Sequence, residues 1–249
     1  MGADTHKSAL TPEILSSASQ KVKIFSDLAT DYVEYLSSLG IESPEDHKLG
    51  ALQECVGRTE EEQKHYLDYA TFLKDSTRYI DELTSWHLDQ ISMFKSQVAH
   101  LLDKGNPGVV LDYGSGIGSR AATYAIAGWT SYLVELTTLS QEFAKWRFKK
   151  YGLTNATFSS TVKLPEWKNT CDEILLIDTI GHLPDPEKSV QEISECAKSG
   201  ALLHITWDNW SYTFEGGVHR NKEFDFEESL NRNQFHIKDE NNKNLWIKE

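Results

Sequence analysis

From residue 108 onward, short β-rich runs alternate with helical patterns. The predicted strands cover residues 109–113, 131–135, 156–159, 173–178 and 201–207, and the predicted helices cover 119–127, 138–151 and 186–198. Parallel strands need long crossovers, usually helices, so this alternation predicts a mostly parallel sheet covered on both faces. Two last apolar runs, 234–237 and 245–248, predict an antiparallel hairpin. The predicted fold class is α/β with three layers.

Residues 1–104 contain few glycines or prolines and have helical patterning throughout. Thr11-Pro12 is typical of a helix start, and Gly40 is predicted to end that helix after residue 39. Further helices are predicted over 44–56 and over 59–101, the last with one apolar stripe. The run 103–108, with two glycines and a proline, cannot continue a helix. We therefore predict an N-terminal α-helical lid or substrate domain at 1–104 and a second domain at 105–249.

The composition restricts the partners. The formal net charge is −13, and no cluster of lysine and arginine occurs, so nucleic acid and anionic membrane surfaces are disfavoured and a small-molecule substrate is expected. No apolar run approaches the roughly 20 residues that span a bilayer, and no signal peptide is evident, so the prediction is cytoplasmic. The three cysteines form no CxxC pair, which predicts buried thiols and no metal site. The oligomeric state is open, a homodimer included.

Three glycines alternate directly after the first predicted strand, in the stretch VLDYGSGIGSR (110–120). In an open α/β sheet, ligands bind beyond the carboxyl ends of the strands. Glycines at that bend permit positive φ and let a ligand lie against the main chain. A dinucleotide fingerprint would need a glycine or alanine where Ser119 stands, and a phosphate-binding loop would need GK[ST]. Neither pattern is present.

The run Asp112-Tyr-Gly114-Ser-Gly116-Ile-Gly118 resembles the first motif, D-x-G-x-G-x-G, of class I S-adenosylmethionine-dependent methyltransferases. The resemblance implies a Rossmann-like sheet and S-adenosylmethionine as cofactor. The glycine loop would pack under the methionine part, and the aspartate would orient its amino end. In that family, an N-terminal helical extension often closes over the cofactor.

Two further segments are similar to that family. Glu135 ends the second strand, where a carboxylate accepts the ribose hydroxyls. The fourth strand leads into Asp178 and His182, with Gly181 in place of the usual glutamate. No acid follows the third strand, so Ser159, Ser160 or backbone would contact adenine. The implied cofactor-binding residues are Asp112, Gly114, Ser115, Gly116, Gly118, Glu135, Leu136, Asp178 and Thr179.

The candidate catalytic residues are His182, Tyr66 and Asp208. His182 would act as a general base, and its alternative is an ordinary loop histidine. Tyr66 lies on the predicted long helix. Other aromatic residues follow it at helical spacing: Tyr69, Tyr79, Trp86 and His87. All five side chains fit either an acceptor pocket or the core. Asp208 follows the fifth strand, where it or its neighbour Asn209 would hold a polar substrate.

Three functions fit these observations. The first is an S-adenosylmethionine-dependent transferase that methylates a small polar metabolite under a helical lid. The second is a methyltransferase-like cyclase, or an aminocarboxypropyl transfer enzyme, that releases methylthioadenosine. The third is a non-catalytic interaction module. The complete set of glycines and acids favours an enzyme.

Overall fold

The computed structural model describes residues 12–41, 77–183, 185–206, 224–239 and 242–249. Its strands are β1 Val109–Tyr113, β2 Thr130–Val134, β3 Ala156–Ser159, β4 Cys171–Leu176, β5 Ala197–Ile205, β6 Phe235–Asp239 and β7 Asn242–Lys248. They form one sheet in the order β3-β2-β1-β4-β5-β7-β6. β1 to β5 are parallel, and β7 pairs antiparallel with both β5 and β6. The predicted α/β fold, with its terminal hairpin, is confirmed.

Helices pack on both faces of this sheet. They are α1 Pro12–Lys21, α2 Lys23–Ser26, α3 Leu28–Ser38, α4 Thr77–Asp89, α5 Ile91–Lys104, α6 Ser119–Ile126, α7 Thr138–Lys150, α8 Pro186–Cys196 and α9 Phe226–Arg232. One core joins α8 and α9 to the strands. A second joins α1, α2 and α5 to α6 and β2 on the other face. The N-terminal helices therefore contribute to the core of the sheet, and the predicted division at residue 104 stays a prediction.

Two predicted helices are divided. The helix predicted to reach residue 39 is interrupted at Val22 and Asp27, and the long helix is interrupted at Gln90. Phe25 of α2 stacks on Phe94 of α5, and Tyr32 and Tyr35 of α3 pack on Phe143 of α7. The helix predicted over 44–56 and the first part of the long helix lie outside the described residues.

The fourth strand ends earlier than predicted. β4 stops at Leu176, because Asp178 has φ +52° and cannot continue an extended strand. β5 begins earlier than predicted, at Ala197 directly after α8. In the described part of the chain, no helix has the length and apolar character to cross a membrane, and no cluster of metal-ligating side chains occurs. Cys171 and Cys196 are buried free thiols; Cys55 lies outside the described residues.

A buried carboxylate near the end of the sheet where the parallel strands begin binds several side chains. Glu173 of β4 accepts hydrogen bonds from Lys104 Nζ at 2.9 Å and Tyr124 OH at 2.7 Å, and its Oε2 lies 3.2 Å from His204 Nε2. Burial alone would raise the pKa of Glu173, but His204, Lys104 and Tyr124 outweigh it and hold the pKa at about 2. A cavity of about 650 Å³ opens at this edge, opposite the glycine bend.

Replacing this carboxylate, Glu173→Gln, is expected to lower the free energy of unfolding at pH 7 by roughly 3 kcal/mol. The folded pKa lies below the unfolded value of about 4.3. The stabilisation is therefore complete above that value and is lost as pH falls towards 2. Urea unfolding at pH 7 and at pH 3 measures both effects. Glu166→Gln, at an exposed position, is the control; equal losses in the two variants would contradict the role of this edge.

Candidate functional site

The bend after β1 is built from bare backbone. Gly114, Gly116 and Gly118 have φ of +79°, +52° and +74°, a region that side chains disfavour. The N–H groups of Gly114 and Ser115 both donate to Val134 O, at 2.8 and 3.0 Å. Gly118 N–H donates to Ser115 O at 2.9 Å and closes the loop. Residues 114–118, the glycine loop, are thereby fixed against the end of β2.

Thr179, which follows β4, contacts this loop, and the segments that follow β4 and β5 contact each other. A Cβ at Gly114 would lie 2.4 Å from Cγ2 and Oγ1 of Thr179, so the buried threonine takes the space of a side chain there. Thr206 Oγ1 accepts from Asp178 N–H and donates to Asp178 Oδ1, both at 2.7 Å. The structure thus brings Gly114, Asp178 and Thr179 to one edge, where the motifs predicted a site.

Glu135 is oriented by the loop. Its Oε2 accepts from Gly116 N–H at 2.7 Å and its Oε1 accepts from Thr137 N–H at 2.8 Å. Burial raises the pKa of Glu135, and these hydrogen bonds oppose the shift. The Thr137 side chain and the Leu136 N–H favour the charged form of this carboxylate as well. The neighbouring Leu136 is 53% exposed, which places apolar surface beside an oriented acceptor.

Asp112 lies under the loop. Its Oδ2 accepts from Ala121 N–H at 3.1 Å, at the start of α6. Burial raises the pKa of Asp112 to about 7, against the lowering effects of Arg120 and of the Ala121 N–H. The observed contact fixes the entry into α6, and the predicted contact with a ligand's amino group stays a prediction.

The candidate catalytic residues are only partly described. His182 belongs to a short turn, Ile180–His182, just beyond Asp178, but its side chain lies outside the described part. Tyr66 and Asp208 lie outside the described residues. Trp86 is 44% exposed, and His87 Nδ1 lies 2.9 Å from Ser119 Oγ, next to the glycine loop. His87 therefore contacts the residue that follows the glycine loop, and the three catalytic assignments stay predictions.

Three residues at the site were not singled out by the motifs. A Cβ at Gly116 would lie 2.9 Å from Cδ1 of Leu83, so α4 covers the loop. The sequence indicated that Leu83 packs on another element, because it belongs to the apolar stripe of the predicted long helix. Arg147 donates to Ile117 O at 3.1 Å. The sequence did not indicate this role, because Arg147 stands in a basic run at the end of α7. Thr206 follows β5 and had no signal either.

The family model described as a methyltransferase domain matches residues 85–241, more than half of the chain. The chain belongs to this family. The resemblance seen in the motifs is confirmed, and with it the cofactor of the family, S-adenosylmethionine. The match begins within α4, so the methyltransferase domain model includes the end of α4 and all of α5 as well as the sheet.

Solved structures that the chain resembles include methyltransferases and a cyclase. The [4+2]-cyclase SpnF is 19% identical, with 61% of this chain aligned to 60% of SpnF and a TM-score of 0.48. A SAM-dependent methyltransferase from Aquifex aeolicus is 22% identical (58% and 80% covered, TM-score 0.47). A possible histamine N-methyltransferase from Thermotoga maritima is 19% identical (70% and 81%, TM-score 0.47). A search of curated proteins found no match.

Proposed function

We propose that this protein transfers a methyl group from S-adenosylmethionine to a small polar acceptor. The observation that carries the proposal is the geometry of Glu135. Backbone N–H groups of Gly116 and Thr137 hold its carboxylate at the carboxyl end of β2, beside the exposed Leu136. This is where ligands of open α/β sheets bind.

The residues of this edge fit that cofactor. An oriented carboxylate, which only accepts hydrogen bonds, suits a ribose diol, and an exposed leucine suits the flat face of an adenine. Bare backbone from Gly114 to Gly118 suits close approach of the amino-acid part. The acids Asp112, Glu135 and Asp178 are compatible with a cation. The bound cofactor supplies a methyl group that its sulfonium already activates.

The protein itself would then orient the cofactor and the acceptor and exclude water from the reacting centre. Glu135 would fix the sugar, and the glycine loop would fix the amino-acid end. Leu83 of α4 covers Gly116 and would shield the reacting centre. The acceptor would be held and, where needed, deprotonated by His182, Tyr66 or Asp208, which we retain as candidates.

Titration calorimetry and product analysis test this proposal. We expect S-adenosylmethionine and S-adenosylhomocysteine to bind with a stoichiometry of one per chain. Incubation with S-adenosylmethionine and a panel of small amines, alcohols and carboxylic acids is expected to yield S-adenosylhomocysteine only when an acceptor is present. Methylthioadenosine formed without an acceptor would instead establish the cyclase or aminocarboxypropyl alternative. No heat with either nucleoside would reject the proposal.

A further inference from the structure

One buried arginine joins the glycine loop to α7. Arg147 is 0% exposed. Its Nη1 donates to Ile117 O at 3.1 Å and to Ser119 Oγ at 3.2 Å, the residues on either side of Gly118. The guanidinium therefore holds the loop where its backbone enters α6.

The same guanidinium also holds the N-terminal helices. Nη2 donates to Ile24 O in α2, and Nε lies 3.7 Å from Oδ2 of Asp31 in α3. Asp31 is also fully buried, and Lys150 and Tyr151 donate to its other oxygen at 2.8 and 3.0 Å. A buried charge is tolerated when it is paired and hydrogen-bonded. The fixed fork of arginine can serve several acceptors at once.

A second connection runs through Ser119 to α4. Because Ser119 Oγ accepts from Arg147, its own proton is available to His87 Nδ1, 2.9 Å away. Desolvation lowers the pKa of His87 to about 3, and Arg147 and Arg120 add to the shift, so the ring is neutral and can accept. Leu83, one turn earlier on α4, covers Gly116.

We propose that Arg147 is a positioning residue for cofactor binding. It fixes the backbone around Gly118 and thereby the direction of the Gly116 N–H that orients Glu135. Because the same side chain holds α2 and α3, the shape of the loop and the docking of these helices stabilise one another. Cofactor binding and helix docking are then reciprocally coupled. This inference rests on the proposed function of the glycine loop.

Arg147→Lys tests this inference. The lysine keeps a cation near Asp31, but its three donors radiate from one nitrogen and cannot reproduce the spacing of the two guanidinium nitrogens that bond Ile24, Ile117 and Ser119. We expect S-adenosylhomocysteine to bind about 10-fold more weakly, measured by calorimetry at a temperature where near-UV circular dichroism shows a folded protein. Ile193→Val, in the core on the other face of the sheet, is the control and is expected to bind as the wild type does. Equal affinities in the two variants would overturn the proposal.

Hydrogen exchange provides a measurement that needs no cofactor. In the free protein, Arg147→Lys is expected to accelerate amide exchange by about 10-fold in both 117–122 and 24–36, whereas Ile193→Val leaves both segments unchanged. Unchanged exchange in either segment would overturn the coupling. If the wild type binds neither nucleoside, the proposed function fails, and exchange still decides the role of Arg147.

Ser119→Ala is the second variant, for use if Arg147→Lys does not fold. It removes the connection to α4 together with the bond from Arg147 Nη1 to Ser119 Oγ, and it leaves the bonds from Arg147 to Ile117 and Ile24. Exchange is expected to rise in 83–89 and not in 24–36. A rise in both segments, or in neither, would show that the connections are not organised as proposed.

Discussion

Replacing Glu135 with alanine is expected to weaken S-adenosylhomocysteine binding by at least about 100-fold. Hydrogen bonds to a charged group contribute about 1.5–3 kcal/mol each, and about 1.4 kcal/mol changes affinity tenfold. Losing two such bonds to a ribose diol gives this factor. The change also leaves the N–H groups of Gly116 and Thr137 without their acceptor, so the free energy of unfolding is expected to fall by about 2 kcal/mol.

The matched control is Glu142→Ala. This change removes the same charge from α7, where Glu142 is 50% exposed and pairs with Lys145. It is expected to alter affinity and stability very little, because exposed ion pairs contribute little. Calorimetry and urea unfolding measure both quantities for each variant. If Glu135→Ala binds the nucleoside as tightly as Glu142→Ala does, Glu135 is not part of the cofactor site.

The second large effect is expected for Gly114→Ala. We expect this variant to lose about 3 kcal/mol of unfolding free energy and to show no measurable heat with S-adenosylhomocysteine. A side chain at φ +79° costs roughly 1–2 kcal/mol. The added Cβ would also lie 2.4 Å from atoms of Thr179, so the loop must shift away from β4. That shift would displace the backbone on which the cofactor is proposed to lie.

Gly200→Ala separates the two contributions. Gly200 has φ +81°, and a Cβ there would meet nothing within 4 Å. It is expected to lose about 1 kcal/mol and to bind normally. Adding Thr179→Ala to Gly114→Ala removes the two atoms nearest the new Cβ and is expected to recover part of the stability. Equal losses at Gly114 and Gly200 would contradict the steric explanation.

Much of the sheet could be predicted because its signals are local. The bounds of β1 and β3 agree with prediction, since each is a short run bounded by turn residues. The end of β4 could not be predicted, because a positive φ at Asp178 depends on its two bonds to Thr206. The break at Gln90 likewise has no glycine or proline to signal it.

In the candidate site, too, some residues could be predicted from the sequence and others could not. The glycines and Glu135 belong to a local motif, so their positions could be predicted from spacing. Arg147 could not, because the run KWRFKK is typical of a solvated helix end. Its burial depends on Asp31, far away in the sequence. A contact made by tertiary packing leaves no periodic signal in a single sequence.

The hydrogen-bond network around Glu173 has a consequence for how the stability of this protein can evolve. Glu173 and its partner Lys104 lie towards the end where the parallel strands begin, whereas Glu135 and the glycine loop lie at the other end. Thermal tolerance can therefore be adjusted at the first end while ligand recognition is left untouched. Variants selected there for heat resistance should keep wild-type affinity, so robustness and specificity can evolve separately.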